Sequence, residues 1–490
     1  MRAEEVNSAV AHLAGGLRSL GIARQDVVAW QLPNSLEAAL LYRACWRIGA
    51  IAAPIHHRAE VAEIEAALAQ LPPTTLLTSP KMPAADLMKS SVRSLIVSRD
   101  VLDSVSGPLV AQPGSAARPS DLAVVLFTSG STGTAKAVLH THRGLAYKAL
   151  TMVRVHGLDP RDATLVPAPL AHVSGLLNGV LLPCVAGMGS ILMRRWDPEH
   201  ALELIESKMV SFMAGPPTFF IAIAAAGVYR ADRVRSMRLI STGGAAVTPS
   251  FIDSATEAFG CRVKRTYGST EAPTITTSSL EDPPSKARET DGRPIGEVEL
   301  KLVDPSTLTA TRSAEVGELL VRGPEVFAGY ADPTDTASAI TTRGKWFRTG
   351  DLATTTSDGY LRIVGRIKEI IIRGGENISA AEIEGLLEAH PEVQQAACVG
   401  IPDPLLGERL AAVVVAKSGF DISTCARWFE LKGIARFKVP QVLVTTDALP
   451  LLAAGKPDRN ALRRLAVNAS LSEDQVAVER SAAKGGRMVR

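Results

Sequence analysis

The sequence is poor in the residue types that staple, stack or anchor a chain. Its 490 residues include only five cysteines, at positions 45, 184, 261, 398 and 425. They are widely separated, with no Cys-x-x-Cys pair and no histidine at zinc-ligand spacing, so neither a disulfide framework nor a zinc site is indicated. A reducing, cytoplasmic setting is expected. Aromatic residues make up 4%. Charge of one sign is also missing: 53 Lys and Arg against 50 Asp and Glu leave a net +3. A chain so balanced does not bind nucleic acid by neutralising phosphates along its length, and any anionic ligand must be gripped locally. No apolar run reaches the ~20 residues of a membrane span. The longest, Gly179 to Met193, is broken by Pro183 and three glycines, so no integral membrane contact is expected. The N-terminus lacks the order of charge, apolar core and small-residue cleavage site that marks a signal peptide, and no repeat of fixed period is present.

What remains is ordinary globular material, 46% hydrophobic and 21% charged, long enough at ~150 residues each for roughly three domains or subdomains. An amphipathic helix opens the chain, with Val10, Leu13, Leu17 and Leu20 on one face and Gly21 near its end. Asp26–Leu32 then reads as a strand and Leu36–Gly49 as a helix. The alternation recurs at Leu122–Phe127, Leu165–Leu170, Gly189–Met193, Val210–Gly215 and Arg238–Thr242, which predicts an α/β fold with largely parallel sheets. After about residue 280 the strands at Glu297–Asp304, Gly317–Gly323, Tyr360–Gly365 and Glu369–Gly374 follow closely on turn signals such as Ser357-Asp358-Gly359. These predict a β-rich subdomain. From Ala380 to about Asn468, helices and strands alternate again as a small α+β domain, and the final residues lose apolar periodicity and read as a solvated tail.

The strongest local signal follows the strand at Leu122. It is Thr128-Ser129-Gly130-Ser131-Thr132-Gly133-Thr134-Ala135-Lys136. Two glycines let backbone N–H groups turn inward, hydroxyls add donors and the lysine adds charge, which together suit a polyphosphate. It is not a Walker A loop, because Lys136 lies between Ala135 and Ala137 rather than between Gly and Ser or Thr. A flexible linker would share the composition but would not usually follow a buried strand so directly.

This loop resembles the signature of the adenylate-forming superfamily of acyl-CoA synthetases, adenylation domains and luciferases. The resemblance continues in order through Pro169–His172, Ser241–Ala245, Tyr267-Gly268-Ser269-Thr270-Glu271, Gly329-Tyr330, Trp346–Leu352, Gly365–Glu369, Gly374–Ile378 and Gly455-Lys456, and covers roughly residues 5 to 467. It implies an N-terminal adenylate-forming domain over residues 1–365, a hinge at 366–369, a small mobile C-terminal domain over 370–468 and a tail at 469–490. It further implies a two-step reaction, in which a carboxylate attacks the α-phosphate of ATP and a thiol then displaces AMP. Two anions must meet, so positioning and well-placed cations should dominate catalysis.

On that template Thr128, Glu271 and Lys456 would be catalytic, with Glu271 also holding Mg2+. ATP and AMP would be held by Thr128 to Gly133, Lys136, Gly243, Gly244, Ala245, Tyr267, Gly268, Ser269, Thr270, Asp351, Arg366 and Lys456. Asp351 offers two acceptor oxygens to the ribose hydroxyls, and Lys456 would bridge the attacking carboxylate and the α-phosphate. The acyl pocket would draw on His172, Ser174, Gly175, Gly243 and Pro273. Lys368 would be the hinge, and Gly374 and Gly375 would pass the pantetheine arm of CoA. Helix caps, a core tyrosine and surface lysines are the alternative readings of the same residue types. No Asp occupies the stretch Pro169 to Gly179, which disfavours an amino-acid substrate. Leu176, Leu177, Phe219 and Phe220 suggest a fatty, alicyclic or aromatic acid. CoA ranks first as acceptor and a carrier-protein phosphopantetheine second, with a non-catalytic binding paralogue as the outside reading.

Overall fold

The computed structural model describes residues 1–87, 94–98, 100–108, 117–128, 135–245, 247–312, 314–417, 419–451 and 457–471. Ser129 to Gly133, Lys456 and the tail beyond residue 471 therefore lie outside the described residues. The chain divides into two units. The first comprises Met1–Gly244, Ile252–Lys301 and Leu320–Thr349; the second comprises Ala245–Phe251, Leu302–Leu319 and the chain from Gly350 onward.

The first unit is built on two seven-stranded sheets. In the first sheet, β1 (Val27–Gln31), β2 (Ile51–Ile55), β3 (Thr75–Thr78) and β4 (Leu95–Val97) run parallel, with β1 between β2 and β3. Every residue of β1, β2 and β3 is buried, as both-face covering by helices demands of parallel strands. Val28 and Trp30 on one face of β1 join Leu13, Leu17, Leu41 and Tyr42 from helices Ala3–Ser19 and Leu36–Ile48. Val27 and Ala29 on the other join Ile64 and Leu68. The opening helix thus buries Val10, Leu13 and Leu17, but Leu20 is 43% exposed, because the helix stops at Ser19, one residue before the apolar stripe would need it.

Strand β5 (Leu122–Thr128) joins β2 in parallel and then pairs antiparallel with β6 (Lys136–Thr141). The last rung of that hairpin is Thr128 opposite Lys136. The chain between Thr128 and Lys136 therefore leaves and re-enters the sheet at one point. The two-residue strand Gly329–Tyr330 closes the edge beside β6.

In the second sheet, β7 (Ala163–Val166), β8 (Gly189–Leu192), β9 (Phe212–Gly215), β10 (Leu239–Gly243) and β11 (Arg262–Tyr267) are parallel, while β12 (Thr276–Thr277) and β13 (Arg293–Pro294) add an antiparallel edge. The sequence placed a strand through Leu170, whereas β7 ends at Val166. Pro167 has no N–H to give the ladder. The β-rich stretch also starts later than expected, at Glu299, since Pro294 still belongs to this second sheet.

In the second unit the hairpin of Phe347–Thr355 and Leu361–Arg366 pairs from Asp351 opposite Arg366 to Thr355 opposite Leu361. A five-stranded sheet follows, in which Gly407–Ala416 lies between Val393–Asp403 and the Ile370–Arg373 and Glu376–Ser379 hairpin, and also pairs with Val442–Thr445. Helices Ala380–Glu388, Ile422–Leu431 and 459–471 complete it. One face packs Ile383, Leu387, Cys425 and Phe429, and the other packs Leu462 and Ala466. The last helix runs to residue 471, past the start of the tail expected at 469.

Glu388, at the end of its helix, accepts the Ala396 N–H at 3.1 Å, and burial pushes its carboxyl up to about 7 from an ordinary 4.5. Between those values the unfolded chain loses its proton while the folded chain keeps it. Stability therefore falls as pH rises through this window and levels off above it. Glu388→Gln keeps the acceptor and removes the titration. We expect it to match the parent near pH 4 and to exceed it by on the order of 2 kcal/mol at pH 8, measured by urea unfolding at both values. A difference independent of pH would contradict this.

Candidate active site

The carboxyl ends of parallel strands are where open α/β sheets bind ligands, and the first unit concentrates its candidate residues there. Thr128 ends β5, Gly243 ends β10 and Tyr267 ends β11. An added Cβ on Gly243 would fall 2.0 Å from the Thr266 carbonyl oxygen. Its bareness is thus required by the neighbouring strand before any ligand is considered. Gly244 follows with φ +78°, a left-handed conformation that leaves the backbone turning out of the sheet. Ala245 begins the next stretch, assigned to the second unit.

Gly268 to Ile275 form a tight turn: the Ser269 N–H donates to Ala272 O at 3.0 Å, and the Ile275 N–H returns to Tyr267 O at 2.8 Å. Pro273 and Thr274, the latter at φ +42°, lie at its far side. The turn is fixed from three directions. His140 Nε2 donates to Thr270 O at 2.8 Å, Lys148 Nζ donates to Thr274 O at 2.8 Å, and the Phe327 N–H donates to Glu271 O at 2.8 Å. Burial lowers His140 to about 4, so it is neutral and its proton sits on Nε2. Lys148 is paired at 2.7 Å with Glu325, and the two side chains are 1% and 0% exposed. That pair ties the turn to the stretch that carries Phe327 and Tyr330.

Tyr330 in turn donates its hydroxyl to Glu271 Oε1 at 2.7 Å, and burial followed by the Glu271 charge holds its phenol well above its ordinary value. Lys136 Nζ lies 4.9 Å from the centre of the Tyr330 ring and 2.6 Å from Asp335 Oδ1. Glu271, Tyr330, Lys136 and Asp335 therefore form one connected row at the mouth of the β5–β6 hairpin. Sequence reasoning named Glu271 and Lys136 and missed the links between them. Gln70 is a further addition. Its side chain accepts the Ala137 N–H at 2.9 Å and donates to Ala135 O, bracketing Lys136.

The stretch Pro169 to His172 is also held from behind. Asn34, buried at 5% exposure, donates to Ala168 O and accepts the Leu170 N–H, both at 2.8 Å. Tyr42 donates to Leu170 O at 2.6 Å. His172 then caps helix Val173–Leu176, Gly175 packs so closely on Pro169 that a Cβ would sit 2.0 Å from its carbonyl oxygen, and Ser174 receives the Asn178 amide at 2.8 Å on its carbonyl. The apolar neighbours read from the sequence as pocket wall have another cause. Leu176 and Leu177 belong to core clusters, and Phe220 packs edge-on to Phe259 at 5.9 Å. Phe219 instead faces Trp196, with ring centres 4.4 Å apart.

In the second unit, Asp351 has its side chain 3% exposed and paired with Arg366 at 2.6 Å. Lys368 sits in a single 3-10 turn, Ile367–Glu369. Gly374 and Gly375 have φ +58° and +88° at the tip of the Ile370–Arg373 and Glu376–Ser379 hairpin. A two-residue hairpin turn of type I′ requires both to be left-handed, and nothing lies within 4 Å of a Cβ built on Gly375. Lys456 is outside the described residues. Its flanks are not: Leu451 bridges Pro457, and Arg459 bonds Glu384 and Cys398 O.

Among the described residues no group of three or more His, Cys, Asp or Glu could enclose a metal ion. The Glu271 carboxylate offers hard oxygen close to the Lys136–Asp335 pair. It suits one edge of a Mg2+ whose other ligands are phosphate and water, the usual environment of that ion.

Strand ends bearing bare glycine backbone, an acidic turn and a lysine at the β5–β6 hairpin are parts that a nucleotide-using α/β enzyme would need. Comparison with known proteins specifies it. The description "AMP-binding enzyme" matches residues 3–331 and "AMP-binding enzyme C-terminal domain" matches 382–456. The chain is 31% identical to the medium-chain fatty-acid–CoA ligase of Escherichia coli, over 94% of this chain and 84% of that protein. It is 33% identical to a feruloyl-CoA synthase of an Amycolatopsis species, over 94% and 93%. The ATP-bound structure of MatB from Rhodopseudomonas palustris superposes with TM-score 0.88 at 27% identity, covering 94% of this chain and 93% of that one. The chain belongs to the AMP-binding enzyme family, within the adenylate-forming superfamily, and is an AMP-forming acid–thiol ligase.

Replacing one partner of the buried Lys148–Glu325 pair leaves the other charge uncompensated. Lys148→Met is expected to cost about 3–5 kcal/mol, and Lys148→Met with Glu325→Leu markedly less, as read from denaturant unfolding. An equal loss in single and double variants would show that the pair does not act as a pair.

Proposed function

We propose that this chain activates a carboxylic acid with ATP and transfers the acyl group to CoA. In the first step a carboxylate oxygen bonds to the α-phosphorus and the bond to the departing pyrophosphate breaks, leaving an acyl-adenylate. In the second, a thiol adds to the acyl carbon and AMP leaves with the carboxylate's former oxygen. The observation that carries the reading is the row Glu271–Tyr330–Lys136 at the mouth of the β5–β6 hairpin, which sets a carboxylate and an ammonium on either side of one phenol.

Each residue then has a task. Lys136 leaves Asp335 for phosphate oxygen, and Thr128 with the loop from Ser129 to Gly133 donates to the same group. Glu271 would hold Mg2+, which when bound supplies charge neutralisation of the phosphates. Gly243, Gly244, Ala245 and Tyr267 border the adenine, with Gly268, Ser269 and Thr270 at its phosphate side. The Asp351 carboxylate, oriented by Arg366 at 2.6 Å, takes the ribose hydroxyls. His172, Ser174, Gly175 and Pro273 border the acid. Lys456 bridges carboxylate and α-phosphate in the first step, Lys368 is the pivot between steps, and Gly374 and Gly375 admit the pantetheine arm. The acid is fatty, alicyclic or aromatic, in keeping with two relatives named for a medium-chain fatty acid and for ferulate. The cytoplasm is the compartment we assign, in keeping with five free cysteines. No helix among the described residues is long and apolar enough to cross a membrane.

The test is to incubate the protein with ATP, Mg2+, CoA and a library of carboxylic acids, and to follow pyrophosphate and identify thioesters by mass. Pyrophosphate and an acyl-CoA are expected with at least one acid; neither product with any acid would sink the reading. Lys456→Ala should lower pyrophosphate release by at least 100-fold while still converting supplied acyl-adenylate to thioester. That magnitude is in line with the loss of one transition-state cation, roughly 3 kcal/mol or more. Lys368→Pro should do the reverse, and equal loss of both steps in either variant would refute the division of labour.

A further inference from the structure

Resting on the pocket assignment of His172, a second inference concerns the substrate. Three imidazoles lie in a row in the first unit. His56, directly after β2, has its ring centre 4.6 Å from that of His57, tilted 29°, and 5.1 Å from that of His172, tilted 41°. Its Nδ1 accepts the Arg58 N–H at 3.1 Å, so the neutral ring must carry its proton on Nε2. That Nε2 is buried and meets no hydrogen-bond partner among the described residues. The ring stays neutral at any working pH, since burial first, then His172, His57 and Arg58, depress it to about 3.

A buried N–H with no acceptor is costly and persists where a ligand completes it. The leucines and Phe220 once read as pocket wall are core residues, so their apolarity says little about the acid. We propose that His56 is a specificity-determining residue whose Nε2–H hydrogen-bonds an uncharged oxygen of the acid, a hydroxyl, ether or carbonyl placed away from the carboxylate. A second carboxylate fits less well, because a neutral imidazole brings no charge to balance it inside the protein.

The experiment uses the full-length enzyme and matched acids: octanoate, 8-hydroxyoctanoate and octanedioate, and 3-phenylpropanoate with its 4-hydroxy and 4-methoxy derivatives. The measured quantity is kcat/KM for pyrophosphate release. A site built to hydrogen-bond a substrate oxygen rejects the analogue lacking it by large factors, up to about 10⁴. We expect at least one oxygenated acid to exceed its unsubstituted partner by about tenfold or more, and to exceed the diacid. His56→Phe, which keeps a stacked ring and removes the donor, should bring that ratio to within about twofold, while His56→Gln, which keeps a donor, should retain part of it. A parent enzyme that favours no oxygenated acid overturns the proposal without needing any variant to fold. A preference untouched by His56→Phe overturns it too, as a water bound at Nε2 would produce. Pyrophosphate from no acid at all would instead overturn the ligase reading, and this one with it.

Discussion

The fold's candidate site depends on one dehydrated ammonium. Lys148 sits on helix His142–His156 with its side chain 1% exposed, held by Glu325 at 2.7 Å and by the Thr274 carbonyl at 2.8 Å. Burial alone drives such a lysine toward its neutral form, and the carboxylate opposes that shift. The two charges are buried against each other, and the Thr274 carbonyl accepts a further hydrogen bond from the ammonium. It fixes both ends of the row that matters. The turn bearing Glu271 is anchored at Thr274, and the stretch bearing Tyr330 is anchored at Glu325. Once both are anchored, the Tyr330 hydroxyl reaches the Glu271 carboxylate and its ring backs Lys136.

The same logic recurs wherever a motif faces outward. Residues that present side chains or N–H groups to a ligand cannot also hold their own backbone, so the backbone is held from behind by buried polar side chains. Asn34 and Tyr42 hold the stretch before His172, His140 holds Thr270, and Gln70 brackets Lys136. Each amide or imidazole satisfies carbonyls and N–H groups that would otherwise be stranded in a turn.

How much of this was legible in the sequence follows from the range of each interaction. The parallel strands were visible because burial on both faces writes a continuous apolar run, as in Val27 to Trp30. The motif residues were visible because ligand chemistry limits residue type and order. Their supports were not, because a hydrogen bond between residues 126 apart, such as Lys148 to Thr274, leaves no local periodicity. One signal was available: Lys148 shares the buried face of its helix with Leu145, Ala149 and Met152, and a lysine on an apolar stripe is anomalous unless paired. The pocket wall was hard to read for the opposite reason. Core leucines and pocket leucines look alike in sequence, and only packing separates Leu176, in the core, from Phe219, against Trp196.

The second unit ties together segments far apart in sequence through one buried ion pair. Arg459, on the first turn of helix 459–471, bonds the buried Glu384 carboxylate and Cys398 O and lies 3.5 Å from Glu369. Glu384 in turn accepts the Cys398 N–H at 2.7 Å. One guanidinium thus joins the residue next to Lys368, the central sheet and the chain just beyond Lys456. The flanks of residues 452–456 are also tied together, by the Leu451–Pro457 bridge and by the Asp458 N–H on Pro450 O at 2.9 Å. Glu369, Arg459 and both flanks are therefore joined through side chains and one bridge rather than through the intervening backbone.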